Sequence, residues 1–258
     1  FKGLYKGRAM NMRIVFYNIR YGTGSGWYYH FPLPFTGFFR RSSVRIRRIA
    51  DFLDSLHPDI VCLMEVDGGS YRHSRQCQAG HIASVKGWEH SFSGKYGSSS
   101  ILNYIPILSS HGNAVLSGLP ILSSRELDFP RGIKKTFLDV EFNKFHVILA
   151  HLSLGRQARR SQLDYMARHC NTLSKPVMLG GDLNLFHGSS EIEPFMRATG
   201  FKKWDHLERP TFPSRTPRLK LDYLLTGRGL NVRKIDIPRI RLSDHLPLVC
   251  DFSVDKNS

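Results

Sequence analysis

The sequence predicts one α/β domain in which sheets lie buried beneath helices. Two observations carry that prediction. Short apolar runs bounded by Gly, Pro, Asn or Ser alternate with amphipathic stretches along nearly all of the 258 residues, the pattern of strands joined by helices. No linker or repeat divides them, so residues 12–254 read as a single domain. With 41% hydrophobic residues the chain can bury a sizeable core.

The elements follow in order. Met12 to Ile19 is a short apolar strand. Tyr21 to Arg41 is rich in Gly, Pro and aromatics without helical or strand period, and reads as a loop. Ser42 or Ser43 is placed to cap a helix over Val44 to Leu56, with Val44, Ile49, Phe52, Leu53 and Leu56 on one stripe. His57-Pro58 ends it, and Asp59 to Val66 is a second buried strand. Residues 68–105 are polar and rich in Gly and Ser, with a helix near Gln76 to Val85. Gly112 to Ser117 reads as a strand, and Phe137 to Phe142 with Phe145 to Leu152 as a hairpin turning at Asn143-Lys144. A helix over Ala158 to Leu173 turns Leu163, Met166, Ala167 and Cys170 inward. A strand over Pro176 to Gly181 and a short helix from Ser189, with Gly200 past its end, come next. Leu221 to Thr226, Leu230 to Ile237 and His245 to Val254 close the chain.

Lys and Arg number 37 against 21 Asp and Glu, a formal charge of +16. Such a field attracts phosphate-rich partners, nucleic acid or an anionic membrane surface, unless it serves solubility alone. No apolar run approaches a transmembrane span. The four cysteines form no CxxC pair, which disfavours a thiolate zinc site, and none demands an oxidising compartment. Residues 1–11 lack the apolar core of a signal peptide and are expected to be a tag or a disordered N-terminus, with Met10 or Met12 the natural start. A monomer is expected, soluble and cytoplasmic if no leader was removed.

Polar residues terminate the strands. Asn18 ends the first and Glu65 the second; His151 ends the hairpin; Asp182 and Asn184 follow "PVMLGG"; Asp222 opens "LDYLLT"; Asp244 and His245 open the last strand. Each has an ordinary structural reading: Asp182 as a helix cap, Asp222 and Asp244 as turn residues, His151 as a satisfied core histidine, Asn18 as a strand terminator. As a set they supply hard oxygen donors, two imidazoles and amides at the rims of rigid elements, which suits hydrolysis of a phosphate ester. Few oxygen ligands suit Mg²⁺, a carboxylate can orient water, and a histidine held by a buried aspartate can face developing charge. The two glycines before Asp182 are expected to let the backbone turn tightly.

"FYNIRYG", "VCLMEVD", "GNAVLS", "ILAHLS", "GGDLN", "LDYLL" and "SDHLP" occur in this order from Phe16 to Pro247. This series resembles the endonuclease/exonuclease/phosphatase, DNase I-like superfamily, in the manner of bacterial members of unassigned substrate. The resemblance implies a four-layered α/β/β/α sandwich with two facing mixed sheets, a divalent metal (Mg²⁺ or Mn²⁺) and attack of water on phosphorus. It implies Glu65 as principal metal ligand with Asn18 and Asp244 beside it, and Asp182 as the residue orienting water. Asn184 and His151 would be phosphate-oxygen donors, and His245 would face the scissile phosphate with Asp222 fixing its tautomer. Many members carry Gln where this chain has Met64, a position expected to tune packing.

The substrate is less legible. Val66 follows the glutamate where apurinic-site nucleases of the superfamily commonly carry Thr, which favours a phospholipid or phosphorylated headgroup. A DNA or RNA nuclease is the alternative, and a catalytically dead binding module the third reading. Arg215, Arg218 and Lys220, just before Asp222, are candidates to hold a second phosphate or a headgroup; otherwise they form a solvated basic loop. The aromatics and arginines of 21–41 suit peripheral membrane contact, stacking on bases, or a satellite apolar cluster.

Overall fold

Strand β1 (Met12–Asn18) is buried at every residue but Arg13. A strand covered on both faces must lie inside a stack of layers, and the computed structural model shows that stack. It describes residues 11–26, 42–70, 75–94, 110–134, 136–204 and 209–255. Residues 1–10, and with them most of the expected tag, lie outside the described residues, as do residues 27–41, which hold the aromatics of the first loop other than Tyr21.

After β1 come α1 (Ser43–Ser55), β2 (Ile60–Asp67), α2 (Gln78–Lys86), β3 (Glu89–Gly94), β4 (His111–Ser117), β5 (Ser123–Asp128), β6 (Thr136–Glu141), β7 (His146–His151) and α3 (Arg156–Cys170). Then follow β8 (Val177–Asp182), α4 (Glu193–Thr199), β9 (Lys202–Lys203), β10 (Asp222–Thr226), β11 (Leu230–Asp236) and β12 (Leu248–Val254). The strands form two six-stranded sheets, ordered β11-β12-β1-β2-β4-β3 and β5-β6-β7-β8-β10-β9. Each sheet is antiparallel except for one central parallel pair, β1 with β2 and β7 with β8. A parallel pair needs a crossover, and α1 and α3 provide it.

Alternation along the strands builds three cores from two sheets. Ile14, Phe16, Cys62 and Val115 of the first sheet meet Leu138, Val147, Met178 and Leu224 of the second in the central core. The intervening residues face outward: Val15, Tyr17, Val61 and Leu63 onto Ile46, Ile49 and Leu53 of α1 and Ile82 of α2. Ile148, Ala150, Leu179 and Leu225 pack on Leu163 and Met166 of α3 and Phe195 of α4. The result is a four-layered α/β/β/α sandwich with facing mixed sheets.

Several local expectations shift. Val44 is exposed and Ile46 takes its place on the buried stripe of α1, because at 3.6 residues per turn Val44 falls on the face opposite Ile46, Ile49 and Leu53. Ser42 precedes α1, yet its side chain makes no cap bond; its Oγ accepts from Gln78 Nε2 at 2.9 Å, tying α2 to the start of α1. The short helix from Ser189 is two pieces, a 3-10 turn at Ser189–Glu191 and then α4, with Pro194 near its start, where a missing N–H does no harm. Strands β3 and β5 carried no apolar alternation because they are sheet edges. Polar groups bond across between them, Ser91 Oγ with Ser124 Oγ at 2.5 Å and the Gly94 backbone N–H to Glu126 Oε2 at 3.0 Å.

The glycines before Asp182 lie inside β8 rather than in a turn. A Cβ on Gly180 would strike the Phe16 ring of the facing sheet at 2.5 Å; one on Gly181 would lie 2.0 Å from the Ala150 carbonyl oxygen, and its φ is +138°. They allow close approach of strand to strand and of sheet to sheet. Gly181→Ala is therefore expected to destabilise the chain by ~3 kcal/mol or more, read by urea denaturation; a loss below ~1 kcal/mol would contradict this account of β8.

Candidate active site

The two parallel pairs end on the same side of the sandwich, and their carboxyl ends carry the polar residues. In the first sheet Asn18 pairs in register with Met64, one residue before Glu65. In the second, His151 pairs with Asp182, and Asp182 with Asp222 of β10. Clefts at the carboxyl ends of parallel strands are where α/β sheets hold ligands.

Asp182 is the hub. Its Oδ2 lies 3.1 Å from His151 Nε2, accepts from Asn18 Nδ2 at 3.2 Å across the sheet interface, and stands 3.8 Å from His245 Nε2. Its Oδ1 accepts from the Asn184 N–H at 3.2 Å, closing a turn rather than capping a helix. Burial alone would raise the Asp182 carboxyl, but His151 and His245 outweigh it and hold it well below the usual carboxylate range. The Asp182 N–H points at Met64 Sδ, 2.9 Å away, so Met64 orients the aspartate as well as filling space.

Opposite stands Glu65, one-fifth exposed, with its Oε1 4.0 Å from His151 Nε2. The register of β2 against β4 shifts between Leu63 and Val66, and Glu65 has φ +53°. A bulge re-aims a side chain, here into the cleft. Asn184 and Arg20 share this left-handed backbone, with φ of 52° and 46°. For a residue bearing Cβ such a conformation costs ~1–2 kcal/mol and marks places where geometry is held against local preference.

His245 Nδ1 meets Asp222 Oδ2 at 2.8 Å, with both side chains buried. Burial would lower the imidazole, but Asp222, then Asp182, lift it to about 10. Burial also pushes Asp222 upward against the pull of His245. With Asp222 facing it at 2.8 Å, the imidazole keeps its proton through neutral pH. His151 goes the other way: burial, then the Lys134 ammonium, bring it down to about 4, so it is neutral. Asp244 is raised by burial; its Oδ2 faces Arg20 Nε at 3.2 Å and its Oδ1 accepts from the Ser243 hydroxyl at 3.2 Å.

The structure thus brings together Asn18, Glu65, His151, Asp182, Asn184, Asp222, Asp244 and His245. One amide hydrogen of Asn184 Nδ2 is spent on the Leu152 carbonyl at 2.9 Å, leaving the other for a ligand. The basic trio divides: Arg218 and Lys220, with Lys203, Phe186 and Tyr223, line a cavity of about 290 Å³ beside the loop that follows Asn184, and Arg215 does not line it. Sequence reasoning missed Lys134, which touches His151 Nε2, and Arg20, which faces Asp244. Arg20 lies within the first motif, a signal that was available; Lys134 flanks a strand and carried none.

Among the described residues no group of three or more His, Cys, Asp or Glu is disposed to chelate a metal. The cleft offers instead the hard oxygens of Glu65 and Asp244, whose like charges act on each other, and the Asn18 side-chain oxygen, which accepts from the Arg20 N–H at 3.1 Å. That donor set fits a Mg²⁺-type ion, which takes one or two carboxylates and completes its shell with water and substrate.

Solved structures share this architecture, three of them as follows. An endonuclease/exonuclease/phosphatase from Beutenbergia cavernae superposes with a TM-score of 0.70 at 19% identity, over 95% of this chain and 72% of that one. The human Nocturnin catalytic domain, with a bound sulfate anion, gives 0.67 at 20%, over 95% and 94%. TDP2 of D. rerio, complexed with single-strand DNA product, gives 0.67 at 15%, over 95% and 99%. No curated protein matches the sequence. The sequence model of the Endonuclease/Exonuclease/phosphatase family matches residues 15–245, nearly the whole chain, and the chain belongs to that family of hydrolases acting on phosphate esters.

Proposed function

We propose that the chain is a divalent-metal-dependent phosphodiesterase in which water attacks phosphorus. The observation that carries this reading is the convergence on Asp182 of Asn18, His151 and His245 from both sheets, with Glu65 4.0 Å from His151. Glu65, with Asp244 and Asn18, would hold the ion, which when bound supplies Lewis-acid polarisation of the phosphoryl group. Asp182 is deprotonated and a weak base, so it orients the attacking water and accepts its proton late. His245, charged and anchored by Asp222, stabilises the charge that builds on the phosphoryl oxygens. His151 and the remaining Asn184 hydrogen steady a non-bridging oxygen.

The cavity bearing Arg218, Lys220 and Lys203 lies beyond Asn184 and provides cations for the rest of an anionic substrate. A lipid headgroup and a nucleic-acid strand both satisfy it. The charge of +16 favours the strand, as does the single-strand DNA product held by the TDP2 structure of the same fold. The deciding assay offers sphingomyelin, phosphoinositides, single-stranded oligonucleotide, plasmid DNA and bis-p-nitrophenyl phosphate with Mg²⁺ or Mn²⁺. Turnover of at least one, lost in His245→Ala, is expected. Equal turnover by wild type and His245→Ala removes the site assignment, and no turnover of any of them favours a binding module.

A further inference from the structure

Lys134 reaches the cleft from a segment with no strand partner of its own. It follows Gly132, whose φ is +110° and whose Cβ would collide with Ser153 Oγ and Gln162 Nε2. What fixes this segment is the buried Gln162 of α3. Its Nε2 donates to the Lys134 carbonyl at 2.8 Å, the Arg131 carbonyl at 3.1 Å and Ser153 Oγ at 3.1 Å; its Oε1 accepts from the Ser153 N–H at 3.0 Å. One side chain therefore ties the Lys134 segment to the residues just after His151. Arg159, one turn earlier, clamps the same stretch: it donates to the Ser153 carbonyl at 3.3 Å while gripping Glu191 at 2.8 Å. The product of this bracing is an ammonium in contact with His151 Nε2 and acting on the Asp182 charge.

Asp182 has other partners in the cleft: His151 Nε2 at 3.1 Å, Asn18 Nδ2 at 3.2 Å and His245 Nε2 at 3.8 Å. A flexible stem with three donors, held at its backbone by a buried amide, suits capture of an anion at a defined place. We propose that Lys134 is a substrate-positioning residue whose ammonium meets a non-bridging oxygen of the phosphoryl group beside His151, and that Gln162 positions it. The inference rests on the hydrolase reading above and deepens it. When the ammonium changes partner, His151 Nε2 keeps Asp182 Oδ2 at 3.1 Å.

The test uses Lys134→Met, Lys134→Arg, Gln162→Ala and the double variant Lys134→Met/Gln162→Ala. With bis-p-nitrophenyl phosphate and Mn²⁺, Lys134→Met should lower kcat/KM by about 30-fold, the scale of one charge-assisted hydrogen bond, and Lys134→Arg should recover most of it. Gln162→Ala should lower it about tenfold in the wild-type background and hardly at all when Lys134 is already Met, since a residue acting through another is not additive with it. Equal Gln162→Ala effects in both backgrounds overturn the positioning role. Calorimetric binding of inorganic phosphate supplies a reading independent of turnover: Lys134→Met should bind it about tenfold more weakly. Equal binding by the two proteins, or no binding by wild type, overturns the role of Lys134. Absence of turnover by wild type sinks the hydrolase reading itself, turnover that survives Asp182→Asn removes Asp182 from the chemistry, and in either case the phosphate measurement still decides Lys134.

Discussion

Asp182→Asn is expected to lower turnover of a phosphodiester by at least ~10³-fold, within the range lost when a positioned base is removed, while the chain stays folded. The substitution is nearly isosteric. The single Asn oxygen can still accept from the Asn184 N–H, as Asp182 Oδ1 does at 3.2 Å, while the bond from Asn18 Nδ2 to Oδ2, also 3.2 Å, is lost unless the amide turns over. What disappears is the charge that both imidazoles face, His151 at 3.1 Å and His245 at 3.8 Å. A neutral amide neither draws a proton from water nor sustains the charge on His245 as strongly. Steady-state rates with bis-p-nitrophenyl phosphate, beside a far-ultraviolet circular dichroism melt, test this. A rate within tenfold of wild type in a folded Asp182→Asn protein would mean that Asp182 only holds the cleft together, because removing a catalytic base is worth about a hundredfold or more.

Glu65 carries the second large effect, and its backbone makes the prediction two-sided. In wild type, Mn²⁺ at a hundred times its Kd should stabilise the fold by ~2.7 kcal/mol, a rise of roughly 5–10 °C in Tm for a chain of this length. Glu65→Gln should abolish that rise together with turnover, since the amide carries no charge for the ion. Glu65→Gly should abolish both as well, yet leave the Tm measured in EDTA unchanged or higher. Its φ of +53° is strained for glutamate and natural for glycine, and the relief of ~1–2 kcal/mol offsets the extra entropy of glycine in the unfolded chain. A metal-induced rise preserved in Glu65→Gln would move the ion away from Glu65. A marked drop in the EDTA melt of Glu65→Gly would show that the side chain supports the fold.

The strand-end motifs were readable because each is local: an apolar run names a buried strand, and the polar residue that stops it stands at its rim. Asn18, Glu65, His151 and Asp182 sit at the carboxyl ends of two parallel pairs for that reason. The edge strands β3 and β5 were not readable, since their polar side chains find partners across the two sheets, Ser124 in Ser91 and Glu126 in the Gly94 N–H. The purpose of the glycines was misread from the sequence, because Phe16, whose ring crowds Gly180, is 164 positions away and on the other sheet. Met64 was expected to tune packing, and only contact with the Asp182 amide shows a further role.

The sequence by itself determined the layered α/β class and the chemical types at the strand ends, because periodicity and strand termination are written within a few neighbouring residues. Tertiary structure decided that Asp182 is shared by Asn18, His151 and His245, that one imidazole is neutral and the other protonated, and that Gln162 braces Lys134. Those are matters of distance and burial between residues far apart in the chain. A carboxylate two strands away sets the proton affinity of a histidine as no adjacent residue does.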